Sequence, residues 1–144
     1  MKKTLTRAIS CFLLLATLML CVISCTPSAT LTIRFENGDD VQTYRVKLAD
    51  YKEGATLYDV LKHDSRFQAE MDETTTPFLT SLCGVTPDAE KFEYISVYTS
   101  ITDKSFGDAV FEEESVSYYY AAVGIAELPL VEDTVYIFRL ESWS

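Results

Sequence analysis

The sequence predicts a small α+β domain in which one helix packs on one face of a mixed sheet. Several segments alternate apolar and polar residues, which is typical of half-buried strands. A single segment instead carries apolar residues at helical spacing, and turn-forming residues separate the segments from one another. The predicted order is a hairpin, one helix and then several strands.

Two segments between residues 31 and 48, each alternating apolar and polar residues, predict the hairpin. Leu31, Ile33 and Phe35 alternate with polar residues, and "VQTYRVKL" resumes the alternation after the turn signal "NGDD". Four more strands are predicted in "FLTSLCGV", "FEYISVYTS", "VSYYYAAVGI" and "TVYIFRLES". The segments "QAEMDETTTP" and "ITDKSFGDAVFEEES" are predicted to be irregular, and "AELPLVED" is a connector because a central strand would not tolerate Pro129.

The segment "TLYDVLKHDSRF" predicts the helix. Leu57, Val60 and Leu61 fall on one side of a helical turn, and Thr56 is a suitable N-cap residue. Asp59 follows Thr56 at the spacing of a capping box, with Asp in place of the usual Glu.

The first 25 residues predict an export signal and a lipid anchor. Three basic residues precede an apolar run over residues 8–23, which is shorter than the roughly 20 residues that a spanning helix prefers. "VISC" resembles the bacterial lipobox, so Cys25 is the predicted lipidated residue; the alternative is ordinary cleavage near Ser24. The predicted parts are a lipoprotein signal peptide (1–24), a short tether (25–30) and one domain (31–144).

Charge and cysteine content narrow the class of protein. Without the signal, nine basic residues face 22 acidic ones, a net charge of −13 that argues against nucleic acid as a partner. The exported protein is expected on the extracellular face of the cell membrane, held there through its lipid anchor. Cys83 is then left without a partner for a disulfide, and it is predicted to be a buried, inert thiol.

The chain carries no sequence pattern for a catalytic or metal site. His63 is the single histidine, no G-x-S-x-G motif accompanies it, and a position near the helix end predicts a structural role. One histidine and one free cysteine do not make a zinc site. The acidic loops could supply oxygen ligands to calcium, although none follows the EF-hand pattern. We therefore expect no enzymatic activity, no metal and no cofactor, with calcium as the open alternative.

Three consecutive tyrosines predict an aromatic surface. Strand alternation sends Tyr118 and Tyr120 to one face and Tyr119 to the other. Small neighbours beside these rings would leave a shallow shelf suited to flat or sugar-like ligands. The alternative is that the rings only stabilise the sheet, through cross-strand pairs that contribute about 0.2–1 kcal/mol each. The candidate ligand-binding residues are Tyr94, Tyr98, Tyr118, Tyr119 and Tyr120.

Four segments together resemble a known domain family. These are "EGATLYDVLK", with the form T-x-x-D-x-L, then "FLTSLCGV", "FEYISVYTS" and "YYYAAVGIAELPLVEDTVYIFRL". In order and spacing they are similar to the transcobalamin C-terminal-like domain of cell-surface proteins of Gram-positive bacteria. The resemblance implies a β-grasp-like mixed sheet and a small binding or adhesion module rather than an enzyme.

The function expected from these features is non-enzymatic. The domain would bind a small molecule, a glycan or a surface protein through its aromatic sheet face, with Phe106 and Phe111 as apolar tips of a mobile rim. A structural or assembly module, with the tyrosine face packed on another protein, is the alternative. Corrinoid binding is a remote alternative, because transcobalamin closes over cobalamin with a helical domain that nothing in this sequence resembles.

Overall fold

The computed structural model describes residues 28–143. Within this range the strands are β1 (Thr30–Asn37), β2 (Asp40–Lys47), β3 (Glu70–Asp72), β4 (Phe78–Ser81), β5 (Glu93–Thr99), β6 (Ser105–Glu113), β7 (Val116–Ala121) and β8 (Val135–Ser142). The α-helix α1 spans Leu57–His63. Short 3-10 turns lie between these elements.

Six of the strands form a mixed sheet in the spatial order β2-β1-β8-β5-β7-β6. β1 and β8 are parallel neighbours, with pairs from Thr32↔Val135 to Glu36↔Arg139, and the other neighbours are antiparallel. β3 and β4 form a separate two-stranded sheet. The predicted α+β fold, with a β-grasp-like mixed sheet and a helix on one face, is confirmed.

The main core lies between α1 and one face of the sheet. Leu31, Ile33 and Phe35 of β1 point into it and are at most 1% exposed. Helix α1 contributes Leu57, Val60 and Leu61, as its apolar spacing predicted. Burial of each such side chain contributes about 1.5–3 kcal/mol, so this layer is the main source of stability.

Helix α1 begins at a polar cap and a backbone contact with the connector. The Thr56 N–H donates to Asp59 Oδ2 at 2.7 Å, which confirms the predicted capping-box contact. The Leu57 N–H donates to the Leu128 carbonyl at 2.9 Å, within the segment predicted as a connector. These bonds satisfy N–H groups that the first helical turn leaves without partners.

Two segments predicted to be irregular are strands, so those predictions are wrong. "QAEMDETTTP" contains β3, which pairs with β4, and "ITDKSFGDAVFEEES" contains β6, which pairs with β7. The pairing of β6 shifts register between Phe106 and Phe111, and Gly107 there has a φ of 73°. The polar composition of β3 and this interruption of β6 removed the alternation that marks a strand.

The hairpin of β6 and β7 leaves the plane of the sheet. β7 pairs with β5 only through Tyr98↔Tyr120 and Thr99↔Tyr119. The tip of the hairpin then reaches β1, where Glu113 Oε2 lies 2.7 Å from Arg34 Nη1. Since β8 and β5 lie between β1 and β7, the hairpin must cross the sheet on the side away from α1.

The predicted signal peptide, residues 1–24, and the lipidation site Cys25 lie outside the described residues. Among residues 28–143, no helix is both long and apolar enough to cross a membrane.

Candidate functional site

The sheet face opposite α1, here called the open face, has an aromatic centre. Tyr98, Tyr118 and Ile137 form a buried cluster, against which Tyr120 and Phe111 pack. Tyr118 and Tyr120 therefore share a face, and Tyr119 is not part of the cluster, as strand alternation predicted. The cluster is a second, smaller core beneath the β6–β7 hairpin.

The rings of this cluster touch one another in a continuous chain. The ring centroids of Tyr98 and Tyr120 are 4.7 Å apart, and those of Phe111 and Tyr118 are 5.1 Å apart and stacked. Phe111 also meets Tyr98 edge-on at 5.3 Å, and Phe106 stacks over Tyr120 at 6.1 Å. Aromatic pairs in such geometries contribute about 0.5–1.5 kcal/mol each beyond the area they bury.

Arg139 joins the aromatic cluster to the charged part of the open face. Its guanidinium carbon lies 5.0 Å from the ring centroid of Tyr98 and 4.7 Å from that of Phe111. Its Nε donates to Glu36 Oε2 at 2.6 Å. Burial is the largest single influence and would lower the pKa of Arg139, but the bond to Glu36 and the negative charges around it together outweigh burial, and the pKa is raised. Arg139 thus stays charged against two aromatic rings.

Arg34 holds the tip of the hairpin to the same group of charges. Its Nε lies 2.8 Å from Glu36 Oε1, and its Nη1 makes the contact with Glu113 described above. Glu36 therefore faces Arg34 and Arg139 at once, each through a different oxygen. A cavity of ≈ 220 Å³ lies under the tip, between Arg34, Glu113 and Tyr118.

Glu141 accepts a buried hydroxyl at the edge of the cluster. The Tyr98 hydroxyl donates to Glu141 Oε1 at 2.5 Å, and burial, with this bond, raises the pKa of Tyr98. Within the described part of the chain, Glu141 Oε2 is buried without a hydrogen-bond partner. Burial and the nearby Glu141 carboxylate also raise the pKa of Tyr94.

The candidate tyrosines differ in their accessibility. Tyr98 and Tyr118 are 0% and 4% exposed, whereas Tyr94 and Tyr120 are half-buried. Tyr119 is half-buried as well, but it does not share the face of Tyr118 and Tyr120. The structure therefore brings Tyr98, Tyr118 and Tyr120 together, with two of the three enclosed.

The accessible rim of the open face is also aromatic. Phe106 is 60% exposed, as expected of an apolar tip, whereas Phe111 turns inward onto the cluster. Trp143 is 74% exposed, and its ring centroid lies 5.3 Å from that of Tyr94. Together Tyr94, Tyr120, Phe106 and Trp143 form what we call the aromatic rim.

Sequence reasoning missed the charged residues and Trp143. Arg34 and Glu36 occupy the polar positions of β1, and Arg139 and Glu141 occupy those of β8. The alternation of apolar and charged residues along β1 and β8 could have indicated that each of these strands has one charged face. Only the parallel pairing of β1 with β8 brings Glu36 beside Arg139, and that pairing joins residues 103 apart in the chain.

The remaining candidates for chemistry lie away from the open face. His63 is exposed at the end of α1, with Nδ1 2.8 Å from the Asp59 carbonyl oxygen. Cys83, predicted to be buried, is only half-buried, and its Sγ lies 3.7 Å from the Tyr44 hydroxyl. Burial nevertheless raises the pKa of the Cys83 thiol, which disfavours the reactive thiolate. Among residues 28–143, no group of three or more His, Cys, Asp or Glu side chains is placed to hold a metal ion.

Comparisons with known proteins relate this chain to others through its fold. No protein-family model matches the chain, and no curated protein matches it by sequence. A structure from Ruminococcus gnavus ATCC 29149, described as that of a "putative metal binding protein", superposes with a TM-score of 0.56 at 12% identity, over 81% of this chain and 99% of that one.

Haptocorrin in complex with Cbi is also similar, with a TM-score of 0.56 at 9% identity, over 84% of this chain and 27% of haptocorrin. At these identities the likeness shows a shared fold alone. It supports a remote fold relationship with the transcobalamin-like domain that the sequence motifs resemble.

Proposed function

We propose that this protein is a non-enzymatic binding domain whose open face holds a ligand by aromatic stacking. The observation that carries the proposal is the aromatic rim, which lies beside an arginine already packed against two rings. Exposed aromatic groups of this kind mark binding sites more often than chance. The buried Tyr98 and Tyr118 would support the rim from beneath rather than touch the ligand.

A planar or sugar-like ligand suits this surface best. Phe106 and Trp143 offer flat apolar faces, and the carboxylates and hydroxyl groups nearby can exchange hydrogen bonds with a polyhydroxylated or amide-bearing ligand. The charged groups of the face already have partners, since Arg139 donates to Glu36 and the neutral Tyr98 hydroxyl donates to Glu141. These pairings favour binding over acid–base chemistry, which requires a group that can exchange its proton.

A corrinoid is a second candidate ligand. The specific observation in its favour is the fold likeness to haptocorrin, a protein whose structure contains Cbi. The fold likeness to a protein described as metal-binding adds divalent cations to the ligands to be tested.

The proposed function includes attachment to a membrane. Lipidation of Cys25 would hold the exported domain at the extracellular face through acyl chains such as palmitate, each buried methylene contributing about 0.8 kcal/mol. The variant Cys25→Ser should release the protein from the membrane fraction of the producing cells. A variant that stays with the membranes would contradict a lipid anchor at this residue.

Trp143 gives the binding test its signal, because it is the single tryptophan of the chain and lies on the aromatic rim. Residues 26–144, which contain every described element, would be titrated with Cbi, chitin and peptidoglycan oligosaccharides, short peptides and divalent cations. We expect a saturable change in Trp143 fluorescence with one of these ligands.

Phe106→Ala should raise the Kd about fivefold, because loss of one stacked ring removes roughly 1 kcal/mol of binding energy. Phe78→Ala is the matched control, because Phe78 is 67% exposed and lies on β4, outside the rim. If no ligand changes the fluorescence, or if both variants weaken binding equally, the open face is not the binding site.

A further inference from the structure

β2 is an edge strand of the six-stranded sheet and pairs only with β1. The backbone groups of successive residues in a strand point alternately to one side and to the other. Leu48, directly after β2, donates its N–H to the Ala29 carbonyl at 2.9 Å and so points toward β1. The residues whose backbone groups point to the outer side are therefore Val41, Thr43 and Arg45.

Two further contacts confirm this alternation. The Thr32 N–H donates to the Thr134 carbonyl at 2.9 Å, so the backbone groups of Thr32 point to β8 and not to Arg45, its partner on β2. The Arg66 side chain donates from Nη2 to the Arg45 carbonyl at 3.2 Å. Because Arg66 belongs to a 3-10 turn outside the sheet, this bond places the backbone groups of Arg45 on the outer side of β2.

The outer side of β2 carries a run of backbone groups without partners. Of the N–H and carbonyl groups of Val41, Thr43 and Arg45, the Arg45 carbonyl alone has a partner within the described part of the chain. The side chains do not cover this edge, since Val41 is 52% exposed and Thr43 and Arg45 are also exposed. Such an edge is a template for pairing with another strand.

The charges along β2 complement a second copy of the same strand. Asp39 and Asp40 lie at its start, and Arg45 and Lys47 lie at its end. All four side chains are exposed, and none of the ion pairs among residues 28–143 includes any of them. Two antiparallel copies would place the acidic start of each beside the basic end of the other, whereas parallel copies would place like charges together. Residues 39–47 carry no net charge, so the acidity of the whole chain does not oppose this local contact.

We propose that this protein dimerises through β2, with the strands of two copies paired antiparallel about a two-fold axis. Val41 of each copy lies opposite Thr43 of the other, and each such pair exchanges two backbone hydrogen bonds. The same register brings Asp39 of each copy beside Arg45 of the other. The two six-stranded sheets thereby join into one.

The bond between Arg66 and the Arg45 carbonyl selects this register. A shift by two residues would place Val41 opposite Arg45 of the second copy, where its N–H would compete with Arg66 for that carbonyl. In the proposed register, the Arg45 carbonyl keeps its bond. Asp40 then lies opposite Tyr44 of the second copy, whose ring centroid is 5.9 Å from the Arg66 guanidinium carbon. A further acidic residue thus approaches a basic group.

Sedimentation velocity of residues 26–144 at increasing protein concentration tests for the dimer. We expect an equilibrium between a monomer and a dimer only. Hydrogen exchange at the amides of Val41 and Thr43 should slow as the concentration rises, by about tenfold when nine-tenths of the chains are dimeric. A monomer at every concentration, or a dimer without this protection, would overturn the proposal.

Charge reversal tests the antiparallel register. Arg45→Glu and Asp39→Lys each replace two attractive contacts by repulsive ones, so each should raise the Kd of the dimer at least about tenfold. The two variants mixed together should form a heterodimer, because every contact then joins opposite charges again. An unfolded variant could not give this result. A mixture that stays monomeric would overturn the register.

Two variants serve as controls. Lys52→Glu changes the net charge by as much as Arg45→Glu, but Lys52 is an exposed residue outside β2, so the Kd of the dimer should not change. Phe106→Ala, which weakens the aromatic rim, should also leave the Kd of the dimer unchanged, and failure of the dimer is therefore distinct from failure of ligand binding. Assembly that continues beyond a dimer would contradict the two-fold pairing and would indicate that β2 pairs with β6 of the next copy.

Discussion

Tyr98 is a fully enclosed side chain of the open face. Its ring touches Tyr120 and Phe111 and lies under the Arg139 guanidinium, and its hydroxyl is bonded to Glu141. A hydroxyl in such a place stays protonated, because the phenolate would lose its hydration next to a carboxylate. Tyr98 is therefore a packing residue with one fixed polar contact.

We predict that this packing makes the protein sensitive to alkali. The pKa of Tyr98 is higher in the folded protein than in the unfolded chain, so the unfolded chain loses this proton first as the pH rises. The contribution of the Tyr98 hydroxyl to the free energy of unfolding is complete below about pH 10. It decreases above that pH, by at most about 1.4 kcal/mol per pH unit for one tyrosine. Urea unfolding between pH 8 and pH 11 measures the decrease.

The variant Tyr98→Phe is the control for this prediction. It lacks the titrating hydroxyl, so its free energy of unfolding should fall less steeply above pH 10 than that of the wild type. Some decrease should remain, because burial also raises the pKa of Tyr136. Equal slopes in the two proteins would show that Tyr98 does not cause the effect.

Among the elements, the β6–β7 hairpin does most to shape the open face. Its two-residue turn, Glu114 and Ser115, has φ angles of 50° and 66°, which suit a tight hairpin with a strong twist. That twist carries Phe111 and Tyr118 over the sheet, where they enclose Tyr98. Without the hairpin, the tyrosines would line a flat surface.

Local sequence patterns predicted the elements better than their arrangement. Alternation located β1 and β5, and helical spacing located α1, because both depend on residues that are near neighbours in the chain. The burial of Tyr118 depends on Phe111 and on Ile137 of β8, which is 19 residues away in the sequence. Alternation therefore predicted the face of each tyrosine correctly, but not which ring is accessible.

Helix α1 allows a prediction at the level of an element. It has only seven residues, so it depends on packing and on its cap. Asp59→Ala removes the acceptor of the Thr56 N–H and should lower the free energy of unfolding by about 1 kcal/mol. Asp59→Glu, which restores the usual capping-box residue, should retain most of that energy. Urea denaturation of both variants would test this, and an unchanged midpoint for Asp59→Ala would contradict it.

At the scale of the whole molecule, the sheet separates two layers of different character. One face carries the apolar core under α1, and the other carries the smaller aromatic cluster with its ion pairs. The main core supplies stability, so the second face can keep groups such as Phe106 and Trp143 exposed. This division supports the proposal that the open face is the part available for binding.

The parallel contact between β1 and β8 has a mechanical consequence. A force applied at Thr30 and Ser142 would pull these two strands past each other and load their hydrogen bonds together. A force at Asn37 and Ser142, which lie at the same end of the two strands, would open the bonds one after another. Single-molecule pulling should therefore give a higher rupture force for the first pair of attachment points, since forced unfolding follows the barrier to breaking the native contact. Equal rupture forces for the two pairs of attachment points would contradict this expectation. A higher rupture force for Thr30 and Ser142 would mean that the fold resists tension applied along its own chain.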